Sequence, residues 1–307
     1  MDQIRVVFLG TGAGTPSRER NVASLAIVLD GRVLLFDCGE GTQHQLLRSS
    51  VRNGRIEAIF ITHLHGDHLY GLPGLLASLS LNGRTEPLTV YGPGVAAFVS
   101  AVRETSRLRL AYELSVLDVA SGEVMRGDGF RVIAAPLEHT IECFGYCVIE
   151  DDRPGEFDVA RANELRIPAG PLYGRLQSGE DVEFGGRMIR SAEVLGAPRR
   201  GRRIAYCTDT RPARASVELA RGADLLIHEA TYGSDVADEA RKRGHSTASE
   251  AAEVAREAGA VRLILTHFSP RYEDVAPLID EARDIASNVD GAYDLAEVPC
   301  PRNDRTL

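Results

Sequence analysis

The sequence lacks several features that mark other classes of protein. It contains no tryptophan, and no apolar run among its 307 residues reaches the roughly 18 residues that a membrane-spanning helix needs. The first ten residues, MDQIRVVFLG, have neither the basic start nor the long apolar stretch of a signal peptide. We therefore expect a cytoplasmic protein without a membrane partner.

Cysteine and lysine are also scarce. The five cysteines form no CxxC pair, and most lie in or beside apolar runs, which favours buried reduced thiols over a disulfide framework. Lys242 is the only lysine, so arginine, whose planar fork suits phosphate, supplies nearly all the positive charge. The net charge of −9 argues against indiscriminate binding of polyanions, although a local basic site remains compatible with it.

What the sequence does contain is a recurring unit, a short apolar run that ends abruptly in polar residues. RVVFLGTG, VLLFDCGEG, AIFITHLHGD and RIAYCTDT are four instances. Each is typical of a buried strand of about five residues. Alanine- and leucine-rich helical segments lie between several of them. This alternation predicts an α/β fold with helices packed on the faces of sheets.

Polar side chains gather where these strands end. The stretch HLHGDH alone holds three of the eight histidines, and Gly66 permits the sharp turn that brings Asp67 and His68 round toward His63 and His65. Imidazole nitrogens and carboxylate oxygens bind divalent metals, and four such groups on one loop suit two adjacent metals better than one open site. The alternative is a polar loop with chance histidines. Further candidates at strand ends, where ligand sites of α/β folds gather, are Asp37, His139, Asp209, His228 and His267.

HLHGDH resembles the H-x-H-x-D-H signature of the metallo-β-lactamase superfamily. The resemblance implies an αββα four-layer sandwich, two facing sheets with helices outside. It implies that one metal is held by His63, His65 and His139, that the other is held by Asp67, His68 and His267, and that Asp209 bridges them. The expected metals are two Zn²⁺ per subunit, with Mn²⁺ possible, and the expected nucleophile is a metal-bridging hydroxide. Asp67 would also take up the proton of the attacking water.

Three further motifs are similar to those of the ribonuclease Z family, which removes the 3′ trailer from precursor tRNA. They are HEAT at residues 228–231, GHST at 244–247 and TPSRERN at 15–21. The resemblance implies that His245 protonates the leaving 3′ oxygen and that Glu229 orients and charges His245. The alternative is a capping loop beside a buried Glu–His pair, since Thr247 and Glu250 also form a capping box.

TPSRERN departs at one position from the family pattern P-x-K-x-R-N. Arg18 stands where lysine is usual, while Arg20 and Asn21 match. The resemblance implies contact with the 3′ end of the tRNA. A solvated basic loop is the alternative.

Residues 150–186 interrupt the strand pattern with a charged segment punctuated by glycine and proline, too long for an ordinary connection. We interpret it as an arm inserted into a single metallo-β-lactamase domain of residues 1–307, the alternative being a disordered loop. The family resemblance implies a flexible tRNA-binding exosite, with Gly170 and Pro171 in its Gly-Pro element. It also implies a homodimer in which the arm of one subunit holds the tRNA that the other cuts.

Two arginine- or glycine-rich stretches remain. GTGAG at residues 10–14 lacks the GxGxxG spacing of a dinucleotide site, and PRRGRR at 198–203 is equally consistent with phosphate binding and with a solvated turn. The resemblance to the ribonuclease Z family thus implies a zinc-dependent endoribonuclease that leaves a 3′-hydroxyl on tRNA. The rival functions are another phosphodiesterase or arylsulfatase-like hydrolase of the same fold, and a metal-stabilised RNA-binding protein without activity.

Overall fold

The computed structural model describes residues 3–302. The chain forms two compact units, the first comprising residues up to Ile149 and Arg203–Pro301, the second comprising Glu150–Arg202 and Arg302. The strands in chain order are β1 (Ile4–Gly10), β2 (Ser24–Leu29), β3 (Arg32–Phe36), β4 (Ile56–Phe60), β5 (Leu88–Tyr91), β6 (Leu114–Leu117), β7 (Gly122–Gly127), β8 (Phe130–Pro136), β9 (Phe144–Glu150), β10 (Val182–Phe184), β11 (Arg187–Ile189), β12 (Arg203–Cys207), β13 (Leu225–Glu229), β14 (Leu263–Thr266), β15 (Val289–Gly291) and β16 (Glu297–Pro299). The helices are α1 (Thr42–Arg48), α2 (Gly66–Leu69), α3 (Leu72–Leu81), α4 (Val95–Ser106), α5 (Val159–Glu164), α6 (Pro171–Gln177), α7 (Arg214–Leu219), α8 (Ala237–Arg243), α9 (Ala248–Ala258) and α10 (Ala276–Arg283).

The first unit contains two seven-stranded sheets. The first has the order β16-β1-β2-β3-β4-β5-β6, and the second has the order β15-β14-β13-β12-β9-β8-β7. Strands β3 to β6 are parallel to one another, as are β12 to β15. Parallel strands end at the same edge of a sheet, so the loops that follow β4, β12, β13 and β14 carry their polar side chains to common edges.

Three apolar clusters hold the two sheets and their helices together. Between the sheets, side chains such as Phe36 and Phe60 of the first sheet pack with Tyr146 and Tyr206 of the second. The stacked rings of Phe36 and Phe60 lie 4.9 Å apart. On the outer faces, α3 and α4 cover the first sheet, while α7, α9 and α10 cover the second. The predicted four-layer αββα sandwich is confirmed, and the five cysteines are buried thiols, as expected.

The second unit has a small core of its own. Helices α5 and α6 and the antiparallel hairpin β10–β11 enclose a cluster formed by Ala162, Ile167, Leu176, Val182, Ile189 and Val194. The inserted segment is therefore folded. It begins at Glu150, but the expected end at Gly186 falls in the turn of the hairpin, because β10 needs β11 as its partner. The compact unit accordingly extends to Arg202.

A buried ion pair closes the base of the second unit. The guanidinium of Arg202 donates to both carboxylate oxygens of Glu150 at 2.7 and 3.0 Å, and both side chains are 3% exposed. Arg202, the fifth residue of PRRGRR, is thus a structural residue and is not solvated. Along residues 3–302, every helix falls short of the length and apolar character that a bilayer crossing requires.

Candidate active site

The ends of four strands bring the predicted ligands together in the first unit. His63 and His65 follow β4, His139 follows β8, Asp209 follows β12 and His267 follows β14. Asp37, Asp209 and His267 adopt left-handed backbone conformations, with φ of 57°, 49° and 58°. Non-glycine residues in this region are strained by about 1–3 kcal/mol each and persist where the surroundings over-determine them.

The first ligand group places four atoms around one point. His65 Nδ1 lies 3.0 Å from His63 Nε2 and 3.2 Å from His139 Nε2. Asp209 Oδ2 lies 3.6 and 3.7 Å from the same two Nε2 atoms. These four side chains are close enough to share one ion.

The second ligand group lies on the other side of Asp209. His68 Nε2 and His267 Nε2 are 3.2 Å apart, and Asp67 Oδ2 is 3.5 Å from each. Asp209 Oδ1 is 3.2 Å from both nitrogens. Each oxygen of the Asp209 carboxylate therefore faces a different ligand group.

These spacings fit metal ligands. Four ligands at the ~2.0–2.1 Å bond lengths of tetrahedral zinc lie about 3.3 Å from one another. The separations in the structure, from 3.0 to 3.7 Å, bracket that value. Imidazole nitrogens and carboxylate oxygens are also the donor types that such metals prefer. These side chains therefore form a His/Asp cluster whose geometry suits metal binding.

Each Nε2-presenting imidazole of the cluster is held at its other nitrogen, Nδ1. Such contacts fix the orientation of the ring and the position of its proton. The partners are Thr62 Oγ1 for His63 at 3.0 Å, Asp37 Oδ2 for His68 at 2.8 Å, the Gly244 carbonyl for His139 at 2.8 Å and Thr231 Oγ1 for His267 at 2.9 Å.

Asp37, a strand-end candidate to which the sequence assigned no specific role, supports the cluster from below its ligands. Its fully buried carboxylate accepts hydrogen bonds from the amide and hydroxyl of Thr62, from the Tyr206 hydroxyl and from His68. Burial lowers the pKa of His68, but the carboxylates of Asp209, Asp37 and Asp67 reverse this and raise it well above its usual range. The field around the cluster therefore favours a cation.

Glu229 and His245 lie beside the cluster as a hydrogen-bonded pair. Glu229 Oε1 accepts from His245 Nδ1 at 2.9 Å and from the Thr210 amide at 2.8 Å, and Glu229 is fully buried. His245 Nδ1 also lies 4.0 Å from Asp209 Oδ2, but its hydrogen bond to Glu229 commits it elsewhere. Burial lowers the pKa of His245, while the carboxylates of Glu229 and, to a smaller extent, Asp209 outweigh this and raise it to about 9.

The GHST loop is built to place His245. Gly244 ends α8 with a φ of 80°, and a Cβ atom there would meet His139 Nδ1 at 2.8 Å, so glycine is required twice over. Thr247 then caps α9, and its capping box with Glu250 is confirmed.

A cleft of about 540 Å³ exposes the cluster and His245 together, and Gly14 of its wall donates its amide to Asp67 Oδ2 at 2.8 Å.

The TPSRERN loop divides into two kinds of residue. Arg20 donates to the carbonyls of Tyr272 and Glu273 at 2.7 and 3.1 Å, and Asn21 donates to the Glu40 carbonyl at 2.8 Å. Both side chains hold the loop in place. The Arg18 side chain is exposed, and within residues 3–302 it makes no hydrogen bond or ion pair.

Asp294 is a residue that sequence reasoning missed. Its carboxylate binds the amide and hydroxyl of Thr11, the amide of Asn21 and the side chain of Gln45, and so ties both ends of the loop to α1. No metal-binding or catalytic motif marks this position.

Gly170 and Pro171 belong to the second unit, where Gly170 has a φ of 144° and Pro171 opens α6.

Comparison with known proteins identifies the family. The model of the β-lactamase superfamily domain matches residues 187–268, and that of the anti-Pycsar protein Apyc1 matches residues 4–94. A ribonuclease Z of Acaryochloris marina is 47% identical, covering 99% of each chain. The chain belongs to the ribonuclease Z family. A ribonuclease BN of Erwinia tasmaniensis is also 47% identical, over 95% of this chain and 99% of its own.

A solved structure of a family member agrees with the fold. The human short-form tRNase Z superposes with a TM-score of 0.72 at 32% identity, covering 97% of this chain and 99% of that chain. The predicted family, the metallo-β-lactamase fold and the endoribonuclease activity in tRNA 3′ processing are thereby confirmed.

Proposed function

We propose that this endoribonuclease cuts precursor tRNA at the 3′ trailer by hydrolysis, with two zinc ions held by the two ligand groups. The observation that carries the proposal is the Asp209 carboxylate, whose oxygens face separate groups beside the Glu229–His245 pair. His63, His65 and His139 would hold one ion, and Asp67, His68 and His267 the other. Bound there, the metals would activate water as a nucleophile and neutralise charge on the phosphate.

The chain's own side chains supply the proton transfers. Water attacks the scissile phosphorus, the bond from phosphorus to the 3′ oxygen breaks, and the tRNA leaves with a 3′-hydroxyl. His245 gives that oxygen its proton, because its imidazole lines the cleft and Glu229 holds it through Nδ1. Asp67, which also lines the cleft, accepts the proton of the attacking water.

Contacts outside the cleft supply substrate binding. Arg18 is the free cation of the TPSRERN loop and would contact RNA phosphate, while Arg20 and Asn21 position the loop that carries it. The second unit, with Gly170 and Pro171, would be the exosite for the body of the tRNA. We further propose a homodimer in which this unit of one subunit serves the cleft of the other.

The direct test incubates the zinc-loaded protein with a precursor tRNA and maps both product ends. We expect a tRNA with a 3′-hydroxyl and a trailer with a 5′-phosphate, and no cleavage after chelation. A 5′-hydroxyl on the trailer would show attack by the RNA's own 2′-hydroxyl, and the hydrolytic mechanism would then be wrong. If the protein left precursor tRNA uncut but hydrolysed an aryl sulfate, the sulfatase rival would be favoured.

Removing the second unit should separate binding from chemistry. We expect replacement of residues 153–200 by a short glycine–serine linker to weaken precursor tRNA binding by about 10²-fold or more, because distant contacts supply binding energy for a large substrate. Hydrolysis of bis-p-nitrophenyl phosphate should stay within a few-fold of wild type. The deletion retains Glu150 and Arg202, whose buried ion pair closes the base.

A point variant provides the matched control for the deletion. Gly170→Ala strains a φ of 144° at the exposed start of α6, so it should weaken precursor tRNA binding alone. Equal losses on both substrates in the deletion variant would show that the unit supports the fold of the cleft, and the exosite proposal would fail.

A further inference from the structure

Thr231 joins the metal-binding cluster to the Glu229–His245 pair. Its buried hydroxyl oxygen lies 2.9 Å from His267 Nδ1, 2.5 Å from Glu229 Oε2 and 3.3 Å from His245 Nδ1. Its backbone is fixed on both sides, since its amide donates to Glu229 Oε2 at 3.2 Å and its carbonyl accepts from the Ser269 amide at 3.2 Å. These backbone hydrogen bonds therefore fix the position of the Thr231 hydroxyl.

Metal binding at His267 Nε2, as proposed, determines how the protons of this network are arranged. The remaining proton of His267 is then on Nδ1, which donates to the Thr231 oxygen. The single hydroxyl proton of Thr231 is then free to be donated to Glu229 Oε2. Glu229 accepts the Nδ1 proton of His245 through its other oxygen. A continuous chain runs from His267 through Thr231 and Glu229 to His245.

We infer that Thr231 is a positioning residue that couples metal binding by His267 to the acid function of His245. The inference rests on the proposed function for the meaning of the acid step. Without the hydroxyl, the His267 N–H is left buried without an acceptor, and Glu229 Oε2 loses its shorter hydrogen bond. A single substitution of Thr231 should therefore disturb both metal binding by His267 and proton donation by His245.

Thr231→Val tests the coupling, because valine keeps the shape of threonine and removes only the hydroxyl. We expect the affinity for the more weakly held zinc, measured by competition with a chelator, to fall about 10–100-fold. Saturating zinc should then restore hydrolysis of bis-p-nitrophenyl phosphate, whose leaving group needs no proton. Cleavage of precursor tRNA should stay at least about 10-fold low in the same preparation.

Thr231→Ser and Thr105→Val complete the design. Serine retains the hydroxyl and should restore both zinc affinity and tRNA cleavage to within a few-fold of wild type. Thr105→Val removes a surface hydroxyl that bonds only within α4, so it should change neither quantity. A melting curve of zinc-loaded Thr231→Val checks the fold, and the serine variant still tests the role of the hydroxyl if valine unfolds the protein.

Three outcomes would overturn the coupling. They are unchanged zinc affinity in Thr231→Val, tRNA cleavage that saturating zinc restores completely, and a serine variant as impaired as valine. Failure of the proposed function gives a different result, since the wild-type protein itself would then not cut precursor tRNA. The zinc measurement is independent of either activity.

Discussion

His245→Ala should lower cleavage of precursor tRNA by about 10²–10⁴-fold, the usual contribution of a general acid. The leaving 3′ oxygen is a strong base and needs a proton as its bond to phosphorus breaks. His245 lines the cleft with Nδ1 bound to Glu229 Oε1 at 2.9 Å. Zinc content and precursor tRNA binding should be unchanged, because the imidazole belongs to neither proposed ligand group.

The leaving group decides whether His245 acts as the acid. Bis-p-nitrophenyl phosphate releases a weakly basic phenolate, so His245→Ala should hydrolyse it within a few-fold of wild type. Thr105→Val is the control, since Thr105 is exposed on α4 and its hydroxyl bonds only within that helix. If His245 only braces the loop, its loss should lower metal content or the melting temperature and should impair both substrates alike.

Glu229 should act as one unit with His245. Glu229→Ala should also reduce precursor tRNA cleavage, and the double variant should be little worse than the worse single variant, because removing either member already disables the pair. Losses that multiply in the double variant would mean that Glu229 has a separate function. Its four hydrogen bonds, from Thr210, His245 and Thr231, make structural damage the competing explanation, which a melting curve measures.

Residues at strand ends were predictable because two regularities coincide there. Short apolar runs identify buried strands, and parallel strands place their following residues at one edge of a sheet. This rule correctly brought His63, Asp209 and His267 into one cluster, but it also selected His228, which is buried outside the cluster with Nδ1 on the Glu229 carbonyl. The H-x-H-x-D-H spacing added His65, Asp67 and His68 because a short loop and a single helical turn hold them within a few ångströms of each other.

The supporting residues were not predictable, because their roles depend on contacts between distant segments. Asp37 serves His68 across 31 positions, and Asp294 reaches Thr11 across 283. Asp37 was marked only by its position at a strand end, which does not show its partner, and Asp294 lies in no pattern of metal or catalytic ligands. For Arg20 and Asn21 the motif gave a role that the structure assigns differently. The motif suggests contact with RNA, whereas both side chains donate hydrogen bonds to backbone carbonyls of the protein.

The extent of the second unit was hidden for a related reason. Strands of three residues, such as β10 and β11, carry too short an apolar pattern to be recognised. The arginine-rich stretch PRRGRR that follows them has the composition of a surface turn. Arg202 of this stretch is nevertheless buried, because the Glu150 carboxylate compensates its charge. Charge patterns alone do not show which arginine has a buried partner.

Asp209→Ala should have the largest effect of any single substitution, lowering precursor tRNA cleavage by more than about 10⁴-fold, beyond the range of one general acid. The reason is that Asp209 contributes one oxygen to each ligand group, Oδ1 at 3.2 Å from His68 and His267 and Oδ2 at 3.6 and 3.7 Å from His63 and His139. No other ligand serves both groups. Bis-p-nitrophenyl phosphate hydrolysis should fall as well, unlike in His245→Ala.

The number of zinc ions bound per chain tests the bridging role of Asp209 more directly than activity does. Elemental analysis in excess zinc should find two metals in the wild-type chain and about one in Asp209→Asn, because the amide keeps one ligating oxygen and replaces the other with a non-ligating NH₂. Wild-type melting should rise with zinc, since a ligand at a thousand times its Kd stabilises the native state by about 4 kcal/mol. Asp290→Asn, at a surface ion pair with Arg262, should match wild type in both measurements. A wild-type maximum of one metal, or two tightly held metals in Asp209→Asn, would contradict the bridging role of Asp209.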